Sequence, residues 1–328
     1  MTISVPRLML AESPSTDPYR NIAAENLLGR SVYGNGLILY LWQNSDTVVI
    51  GRNQNPWAEC DCDALEKDGC RIARRLSGGG AVWHDLGNLN YTFIYSDGGY
   101  TRSELAKYVS DACRAAGTEA ETSGRNDISV GGRKISGTAF YSSRGISYFH
   151  GTLLISADTG RMLRYLTPDR KKLDAKGVRS VASRVANMTE YCPGLTVTDM
   201  KELLISRVSC LSGSGAEPVL MPEGPELEEL AGRLGSWEHN FGSTFRFTSS
   251  CSGRFIWGGI QILLVSDRGR IDDVRIYTDS MDPDLSVNTR NALLGKRIER
   301  TELYEALIDA AGSDAAGDIA DLISGSAV

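Results

Sequence analysis

The amino-acid sequence predicts an α+β protein with a large amino-terminal domain and a small carboxy-terminal one. Stretches with the alternating or continuous apolar pattern of strands lie between stretches with the apolar spacing of helices, along the whole chain. The chain has 328 residues, which is more than one hydrophobic core usually supports. The pattern changes after "WEHNFGS", so we place the two domains at 1–245 and 246–328.

The first domain begins with a helix and continues with strands and helices. "DPYRNIAAENLLGR" predicts a helix up to Leu28, because Asp17 is a good N-cap residue and Pro18 suits the first helical turn. Strands are predicted at "LILYLW", "TVVIG", "RIARRL" and "LNYTFIYS". A short helix is predicted at "DCDALEKDG" and an amphipathic one at "YTRSELAKYVSDACRAAG".

Strands are predicted again over 127–156, and helices follow at about 198–211 and at "GPELEELAGRLGS". Between them, "TPDRKKLDAKGVRSVASRVANMTEY" has little apolar periodicity, and loops of this length usually have a function. For the second domain we predict two strands within "FIWGGIQILLVSDRGRIDDVRIYTDS" and helices near 285–294 and 301–311.

Composition excludes several classes of protein. A formal net charge of −6 and a pI near 5.3 argue against a nucleic-acid-binding protein with a basic face. No apolar stretch approaches the roughly 20 residues that span a bilayer, and no secretory signal is recognisable. The seven cysteines are an odd number, which disfavours a disulfide framework. We therefore expect a cytoplasmic protein with reduced thiols and with neither a nucleic-acid nor a membrane partner.

The segment "RRLSGGGAVWHDLGN", residues 74–88, places three consecutive glycines between two arginines and a histidine. Glycine admits positive φ and lets a ligand or a second backbone approach, although a run of three loses much entropy on folding. A plain loop between strands is the alternative explanation. The charged neighbours favour a loop whose N–H groups face an anion.

The segment "GRNDISVGGRKISGTAF", residues 124–140, predicts a hairpin with Gly131-Gly132 as its two-residue turn. Such a turn predicts four opposed pairs: Val130–Arg133, Ser129–Lys134, Ile128–Ile135 and Asp127–Ser136. Because side chains alternate between faces, one face is apolar and the other carries Asp127, Ser129, Lys134 and Ser136. The alternative is a solvated cross-strand ion pair worth at most about 1 kcal/mol.

Two of the three histidines, His84 and His150, lie beside these motifs, and each is alternatively a core histidine. Together the motifs suit chemistry on a phosphate-bearing substrate. The glycine loop offers N–H groups, a lysine on a rigid strand supplies positive charge, and a nearby aspartate can hold Mg²⁺. The chain contains neither a Walker motif nor a dinucleotide fingerprint, so we expect a nucleotide pocket of another design.

The order and spacing of six segments closely resemble the bacterial lipoate-protein ligase A family. These segments are "IGRNQNPWAECD", "RRLSGGGAVWHDLGN", "GRNDISV", "RKISGTAF", "HGTLLISAD" and "KKLDAKGVRSVASRVANMTE". Past residue 245, "WEHNFGSTFRF", "RFIWGGIQI" and "IYTDSMDPD" resemble the accessory carboxy-terminal domain of that family. The resemblance spans about 18–310 and implies a mixed-sheet catalytic domain of the biotin/lipoate ligase type.

The resemblance implies two reactions in one pocket. The carboxylate of lipoate attacks the α-phosphate of ATP, which gives lipoyl-AMP and pyrophosphate. The ε-amine of one lysine on an apo lipoyl domain then attacks this anhydride and releases AMP. The implied cofactors are ATP and Mg²⁺. The implied partners are apo lipoyl domains of 2-oxoacid dehydrogenase acyltransferase subunits and of the glycine cleavage H protein, and we expect a monomer.

The resemblance also implies the role of each matched position. Lys134 is expected to bridge the lipoyl carboxylate and the α-phosphate, and Asp127 to lie by the phosphates and hold Mg²⁺. Lipoate is expected along Glu25, Arg75, Ser77, Gly78, Gly79, Gly80, His84 and His150. The nucleotide is expected beside Gly80, Ala81, Val82, Asn88, Asn126, Asp127, Lys134, Thr152, Lys172, Gly177 and Ser180. The last three belong to a loop, Lys171 to Ser183, that would close over the intermediate.

One position departs from the family, because Tyr141 stands where the ligase often has arginine. We expect Arg144 or the 170s loop to supply that contact. Two other functions remain: an octanoyl or lipoyl transferase with an activated cysteine, and a non-catalytic lipoate- or nucleotide-binding protein. No cysteine lies between Cys113 and Cys192, which argues against the transferase. The presence of Lys134 and Asp127 argues against the binding protein.

Overall fold

The computed structural model describes residues 7–32, 34, 36–123, 127–167, 184–210, 215–242 and 247–326. Residues up to 242 surround a large mixed sheet, whereas residues 249–325 form a smaller sheet and helices around a hydrophobic core of their own. The predicted α+β class with a small carboxy-terminal domain is confirmed. The boundary predicted at 245 lies outside the described residues.

The described strands of the large domain are β1 Arg7–Glu12, β2 Gly36–Trp42, β3 Thr47–Ile50, β4 Arg71–Arg74, β5 Val82–His84, β6 Asn88–Ser96, β7 Glu121–Ser123, β8 Asp127–Val130, β9 Arg133–Ser143, β10 Ile146–Leu154 and β11 Ala216–Pro218. Its described helices are α1 Pro18–Leu28, α2 Pro56–Glu59, α3 Cys62–Lys67, α4 Arg102–Ala115, α5 Thr159–Tyr165, α6 Val197–Ser209, α7 Pro225–Gly235 and α8 Trp237–Asn240. The carboxylate of Asp17 caps α1 as predicted.

Eight strands form one mixed sheet in the order β11-β1-β2-β6-β10-β9-β8-β7, and β4, β3 and β5 form a small second sheet. β1 runs parallel to β2 and β11. The other neighbouring strands of this sheet, in the order β2-β6-β10-β9-β8-β7, are antiparallel. Apolar residues of one face pack against α4 and α6, and those of the other face pack against α1 and α7.

Strand β6 contributes to a core on one face and carries polar residues on the other. Leu89, Tyr91 and Phe93 belong to the core beneath α4 and α6, whereas Asn90 and Thr92 lie buried on the α1 face. Directly opposed residues of neighbouring strands share a face of the sheet. One row of opposed residues therefore crosses this face over five strands: Trp42, Asn90, Thr152, Gly137 and Asp127.

The β8–β9 hairpin has the predicted turn but only part of the predicted register. Gly131 and Gly132 have φ of 56° and 76°, and the two pairs next to the turn are as predicted. A β-bulge then shifts the register, so that Asp127 lies opposite Gly137 rather than Ser136. Ser136 was placed on the wrong face, because the extra residue on β9 reverses the alternation of side chains. Its hydroxyl lies 3.1 Å from the hydroxyl of Tyr91 on the opposite side of the sheet.

The small domain is an antiparallel sheet covered by helices. Its elements are β12 Ser249–Phe255, β13 Gly258–Asp267, β14 Arg270–Thr278, α9 Leu285–Leu293, α10 Arg300–Ala311 and α11 Ser313–Gly325. Strand β12 and helix α11 were not predicted. Two backbone hydrogen bonds dock this domain on the large one: Thr278 donates to Asn53 at 2.8 Å, and Gly79 donates to Ser280 at 3.0 Å. Within the described residues, no helix combines the length and apolar character needed to cross a membrane.

Candidate functional site

The glycine loop after β4 is held by the guanidinium group of Arg75. Its Nε donates to the hydroxyl of Ser77 at 3.0 Å, and its Nη2 donates to the carbonyl oxygens of Gly78 and Gly80 at 2.7 and 2.8 Å. Burial lowers the pKa of Arg75 to about 10, so the side chain remains charged at neutral pH. A buried cation therefore fixes the shape of the loop.

Two positions of the loop require glycine, each for a different reason. A Cβ atom on Gly78 would collide with the carbonyl oxygen of Ser280 in the small domain. Gly79 has a φ of 91°, and a Cβ atom there would lie 2.9 Å from Nη2 of Arg75. We expected all three glycines to form the wall of a substrate channel. Gly78 instead makes room for the small domain.

Glu25, His150 and Ser77 form a buried chain of hydrogen bonds beside this loop. Nδ1 of His150 lies 2.8 Å from Oε1 of Glu25, and its Nε2 lies 2.7 Å from the hydroxyl of Ser77. The same carboxylate oxygen accepts a hydrogen bond from Thr92 at 2.7 Å. These hydrogen bonds join helix α1, strands β6 and β10 and the glycine loop. They are shielded from water, and hydrogen bonds in such surroundings are strong.

Several buried polar atoms of His84 and Asn90 have no hydrogen-bond partner among the described residues. Nδ1 of His84 lies 3.1 Å from the amide nitrogen of Asn44, which assigns the ring proton to Nε2. Burial, with smaller effects of Arg75 and His150, lowers the pKa of His84 to about 3, so the ring is neutral at pH 7. Its Nε2 and both amide atoms of Asn90 are buried without a partner there. Such groups indicate a binding site for a ligand or for water.

Lys134, Asp127 and Arg184 form a second charged group on the same side of the sheet. Nζ of Lys134 lies 2.7 Å from one oxygen of Asp127, and Nη2 of Arg184 lies 2.8 Å from the other. Burial alone would raise the pKa of Asp127, but the two cations outweigh burial and lower it. The carboxylate is therefore ionised at neutral pH and holds both cations in place.

Two adjoining cavities lie against these groups. The small cavity, about 200 Å³, is bounded by Glu25, Trp42, Arg75, His84, Asn90 and His150, among others. The large cavity, about 630 Å³, lies between the large domain and strands β12 to β14. Their shared wall includes Lys134, Gly137, Thr152, Arg184, Arg254 and Asp279. Lys134 therefore stands where a narrow cavity meets a wide one.

The structure brings most of the predicted site residues together. Those that line the small cavity are Glu25, Arg75, Gly79, Gly80, Ala81, Val82, His84, Lys134, His150 and Thr152. Ser77 and Gly78 do not line either cavity, and Asp127 contacts Lys134 and Arg184 of their shared wall. Asn88 lines neither cavity, and its amide donates to the carbonyl of Trp83 at 2.7 Å. Asn126, Lys172, Gly177, Ser180 and the predicted closing loop lie outside the described residues.

The cavity-wall residues that sequence reasoning missed include Trp42, Asn90, Arg184, Arg254 and Asp279. The alternation within "LNYTFIYS" contained a signal for Asn90, because a polar residue at an inward position of a central strand needs a partner. Arg254 and Asp279 come from the small domain, and no local pattern places them beside Lys134.

Tyr141 is buried and does not line either cavity. Its ring stacks on Tyr148 with centroids 4.4 Å apart and planes 2° from parallel, and its hydroxyl makes a long contact of 3.5 Å with Glu25. Arg144 lies exposed in the β9–β10 turn, beside a separate groove near α7. Arg144 therefore lines neither of the two cavities, and the 170s loop, the other candidate for this contact, lies outside the described residues. The guanidinium groups that do line the small cavity are those of Arg75, Arg184 and Arg254.

The sequence and the fold of this chain have counterparts in a known family. Residues 17–209 match the family model for the lipoyl protein ligase A/B catalytic domain, and residues 244–323 match that for the bacterial lipoate protein ligase C-terminus. The first match covers more than half of the chain, so the chain belongs to the lipoyl protein ligase A/B family. The second match relates it more narrowly to bacterial lipoate-protein ligases with a carboxy-terminal domain.

Solved structures of lipoate ligases have the same fold. P. falciparum LipL1, in complex with lipoate, is 24% identical with a TM-score of 0.84, and the alignment covers 98% of this chain and 99% of that one. T. acidophilum Ta0514 with bound lipoic acid is 27% identical with a TM-score of 0.59, covering 73% and 99%. A lipoate-protein ligase A bound with ATP is 27% identical with a TM-score of 0.59, covering 72% and 98%.

Proposed function

We propose that this protein attaches free lipoate to a lysine of apo lipoyl domains in an ATP-dependent reaction that releases AMP. In the first half-reaction, a lipoate oxygen attacks the α-phosphorus of ATP, and the bond to the pyrophosphate leaving group breaks. In the second, the lysine amine attacks the lipoyl carbonyl carbon, an amide bond forms, and AMP leaves while the amine loses its proton.

The position of Lys134 is the observation that carries this proposal. Its ammonium group stands at the junction of the two cavities, within an ion pair that fixes its direction. Lipoate is proposed to occupy the small cavity and the nucleotide the large one, so that the two reacting atoms meet beside Lys134. Positive charge fixed at that point stabilises negative charge that develops on the carboxylate and phosphoryl oxygens in both steps.

The small cavity suits an acyl chain with a polar end. Trp42, Ile22 and Val49 offer apolar surface, and Lys134 offers charge at one side. The ring of His84 is neutral at pH 7, and hydrogen bonds hold the side chains of Glu25 and His150 in place along the cavity wall. The bound lipoic acid of the T. acidophilum structure and the bound ATP of the ligase A structure support these two substrates for this chain.

Mg²⁺ is the second proposed cofactor, bound together with ATP. The described residues contain no cluster of three or more His, Cys, Asp and Glu side chains suited to a metal, and Asp127 offers a single carboxylate. This donor set fits an ion held mainly by ATP phosphates and water, which is how Mg²⁺ commonly binds at nucleotide sites. A carboxylate has about four lone-pair sites, so Asp127, which already accepts from Lys134 and Arg184, would hold the ion with a further one, and the ion would neutralise phosphate charge.

The proposed acceptors are the lipoyl domains of 2-oxoacid dehydrogenase acyltransferase subunits and of the glycine cleavage H protein. The family's activity toward lipoyl proteins supports this class of partner. We propose that the protein acts as a monomer, since one chain supplies the described walls of both cavities. A cytoplasmic location is also proposed. All seven cysteines are free in the structure, which supports a reducing compartment for this proposal.

A cysteine-dependent octanoyl or lipoyl transferase is disfavoured by the position of the thiols. None of the seven cysteines lines either cavity within the described residues. Burial also raises the pKa of Cys60, Cys113 and Cys251, which makes them poor nucleophiles. A binding protein without catalysis is disfavoured by the ion pair that orients Lys134.

Pyrophosphate release tests this proposal. The purified protein is incubated with Mg²⁺ and ATP, with and without lipoate, and both pyrophosphate and lipoyl-AMP are measured. We expect both products only when lipoate is present. Release of neither product with lipoate would contradict an adenylating enzyme.

A further inference from the structure

We propose that Arg254 of the small domain binds the β- and γ-phosphates of ATP during the first half-reaction. This inference rests on the proposed ligase function and assigns to the small domain a contact with one substrate. Arg254 is the only cation that the small domain contributes to the walls of the two cavities, within the described part of the chain.

The position of Arg254 places its charge near Lys134. Both residues lie on the wall that the small and large cavities share, together with Arg184. Three cations therefore line the place where the two proposed substrates meet, and each is held by a carboxylate: Asp127 for Lys134 and Arg184, and Asp279 for Arg254. ATP brings several negative charges, and adenosine brings none, so this group of cations suits the polyphosphate.

The local structure orients the guanidinium group of Arg254 before any ligand binds. Its Nη1 donates to Oδ2 of Asp279 at 3.1 Å, and Oδ1 of Asp279 accepts the N–H of Gly259 at 2.7 Å. Arg254 and Gly259 are opposed on β12 and β13. A Cβ atom on Gly259 would lie 2.8 Å from Nη1 of Arg254, so the glycine leaves the space that the guanidinium group occupies. Preorganisation of this kind reduces the cost of binding an anion.

The same segment is fixed to the glycine loop of the large domain. Ser280 follows Asp279 directly, and its carbonyl oxygen accepts the N–H of Gly79 at 3.0 Å. Asn53 accepts from the backbone of Thr278 at 2.8 Å, just before Asp279. These bonds set the distance between Arg254 and the large-domain residues.

Arg254 is assigned to the β- and γ-phosphates and not to the α-phosphate for the following reason. Lys134 is the residue proposed to contact the α-phosphate, which remains on the intermediate and on AMP. Arg254 lies on the side of the wall formed by the small domain and is separate from the Lys134–Asp127 pair. Its contact is therefore proposed to end when pyrophosphate leaves, so that the second half-reaction does not use it.

The test compares Arg254→Ala and Arg254→Lys with Arg300→Ala in the full-length protein. Arg300 pairs with Asp321 in the same domain, but both side chains are 59% exposed and do not line the cavities. Binding of ATP, of pyrophosphate and of AMP is measured by calorimetry without lipoate. Pyrophosphate release and transfer from preformed lipoyl-AMP to a lipoyl domain are measured separately.

For Arg254→Ala we expect affinity for ATP and for pyrophosphate to fall about 10- to 100-fold, as for loss of a charged hydrogen bond. Affinity for AMP and the rate of transfer should stay within about threefold, since neither involves the lost phosphates. Arg254→Lys should recover part of the loss because it keeps the charge without the planar fork. Arg300→Ala should behave as the wild type.

If the wild type releases pyrophosphate, two results would overturn the inference. One is unchanged ATP affinity in Arg254→Ala, and the other is an equal loss for AMP and ATP in both Arg254 variants. An equal loss of affinity for AMP and ATP would indicate that Arg254 has only a structural role. An equal loss of rate in the two half-reactions would indicate the same. If the wild type itself releases no pyrophosphate with lipoate, the ligase proposal fails first and this inference fails with it.

Discussion

Nζ of Lys134 lies 2.7 Å from Oδ1 of Asp127, across the hairpin that the Gly131-Gly132 turn closes. The other oxygen of the same carboxylate holds Arg184 at 2.8 Å. Because Asp127 is held on a strand and carries its charge at neutral pH, it fixes the direction of a flexible lysine side chain. Catalysis by positioning and electrostatics requires such fixed charges.

Replacing Lys134 with alanine should remove the first half-reaction. We expect pyrophosphate release to fall at least about 100-fold, because a fixed charge at the reacting oxygens is lost. The free energy of unfolding should fall by about 1–3 kcal/mol, since the largely buried carboxylate of Asp127 loses one of its two cationic partners but keeps Arg184. Lys107→Ala is the matched control, because Lys107 forms an exposed ion pair with Asp111 on α4. Near-normal release by Lys134→Ala would remove this lysine from the proposed mechanism.

Replacing Gly79 with alanine should weaken lipoate binding as well as stability. Gly79 has a φ of 91°, and the new Cβ atom would press on Arg75. Strain of about 1–2 kcal/mol is expected from the positive φ, and displacement of Arg75 should lower lipoate affinity about 10-fold or more. Gly98→Ala carries similar strain, with a φ of 79°, but meets no atom within 4 Å. Calorimetric binding of lipoate to both variants separates the two effects. Equal affinity in the two would show that the glycine loop is only a turn.

His84 should make the stability of the protein depend on pH. Its pKa is lowered from 6.5 to about 3 in the folded state, so the unfolded chain binds a proton that the folded chain does not. The associated stability is complete above the unfolded pKa and is lost as the pH falls through the interval between the two values. The slope is at most about 1.4 kcal/mol per pH unit.

The measurement is denaturant unfolding of the wild type and of His84→Gln at several pH values between about 7 and about 5. We expect a smaller slope in the variant. His239 also has a pKa lowered by burial, but it contributes equally to both proteins and cancels in the difference. Parallel slopes in the two proteins would mean that His84 is protonated normally in the folded state.

Tyr141 is expected to serve the fold and not the substrate. Tyr141→Phe keeps the ring stacked on Tyr148 and removes only the long contact with Glu25, so stability should fall by less than about 1 kcal/mol and the KM for lipoate should stay within about threefold. Tyr141→Ala empties a buried ring position and should cost about 3–5 kcal/mol in unfolding free energy. A tenfold or larger KM effect of the phenylalanine variant would show that the phenol takes the place of the family's arginine.

The sequence predicted the strongly periodic elements because their signals are local. The N-cap at Asp17, the amphipathic pattern of α4 and the alternation of β6 each lie within one short segment. The register of the β8–β9 hairpin was wrong beyond the second pair, because a bulge inserts one residue and leaves no mark in the apolar pattern. Ser136 consequently moved to the opposite face from Lys134.

The predicted site was more complete within the large domain than between the domains. Five site residues could be assigned because each matches a position in the sequence of the family. The structure places all five around the small cavity: Glu25, Arg75, His84, Lys134 and His150. The partners of Arg254 could not be predicted, since they depend on how the small domain docks through backbone groups of Thr278 and Ser280. Backbone hydrogen bonds are available to nearly every residue and so leave no sequence signature.

The intact mass of an apo lipoyl domain tests the central claim most directly. One tube contains the domain, this protein, Mg²⁺, ATP and free lipoate, and a parallel tube contains octanoyl-acyl-carrier protein without ATP. The ligase account predicts a lipoyl adduct only in the tube with ATP, and its loss when Lys134→Ala replaces the wild type. An adduct only in the tube without ATP would contradict the account and indicate a transferase, and no adduct in either tube would favour a binding protein.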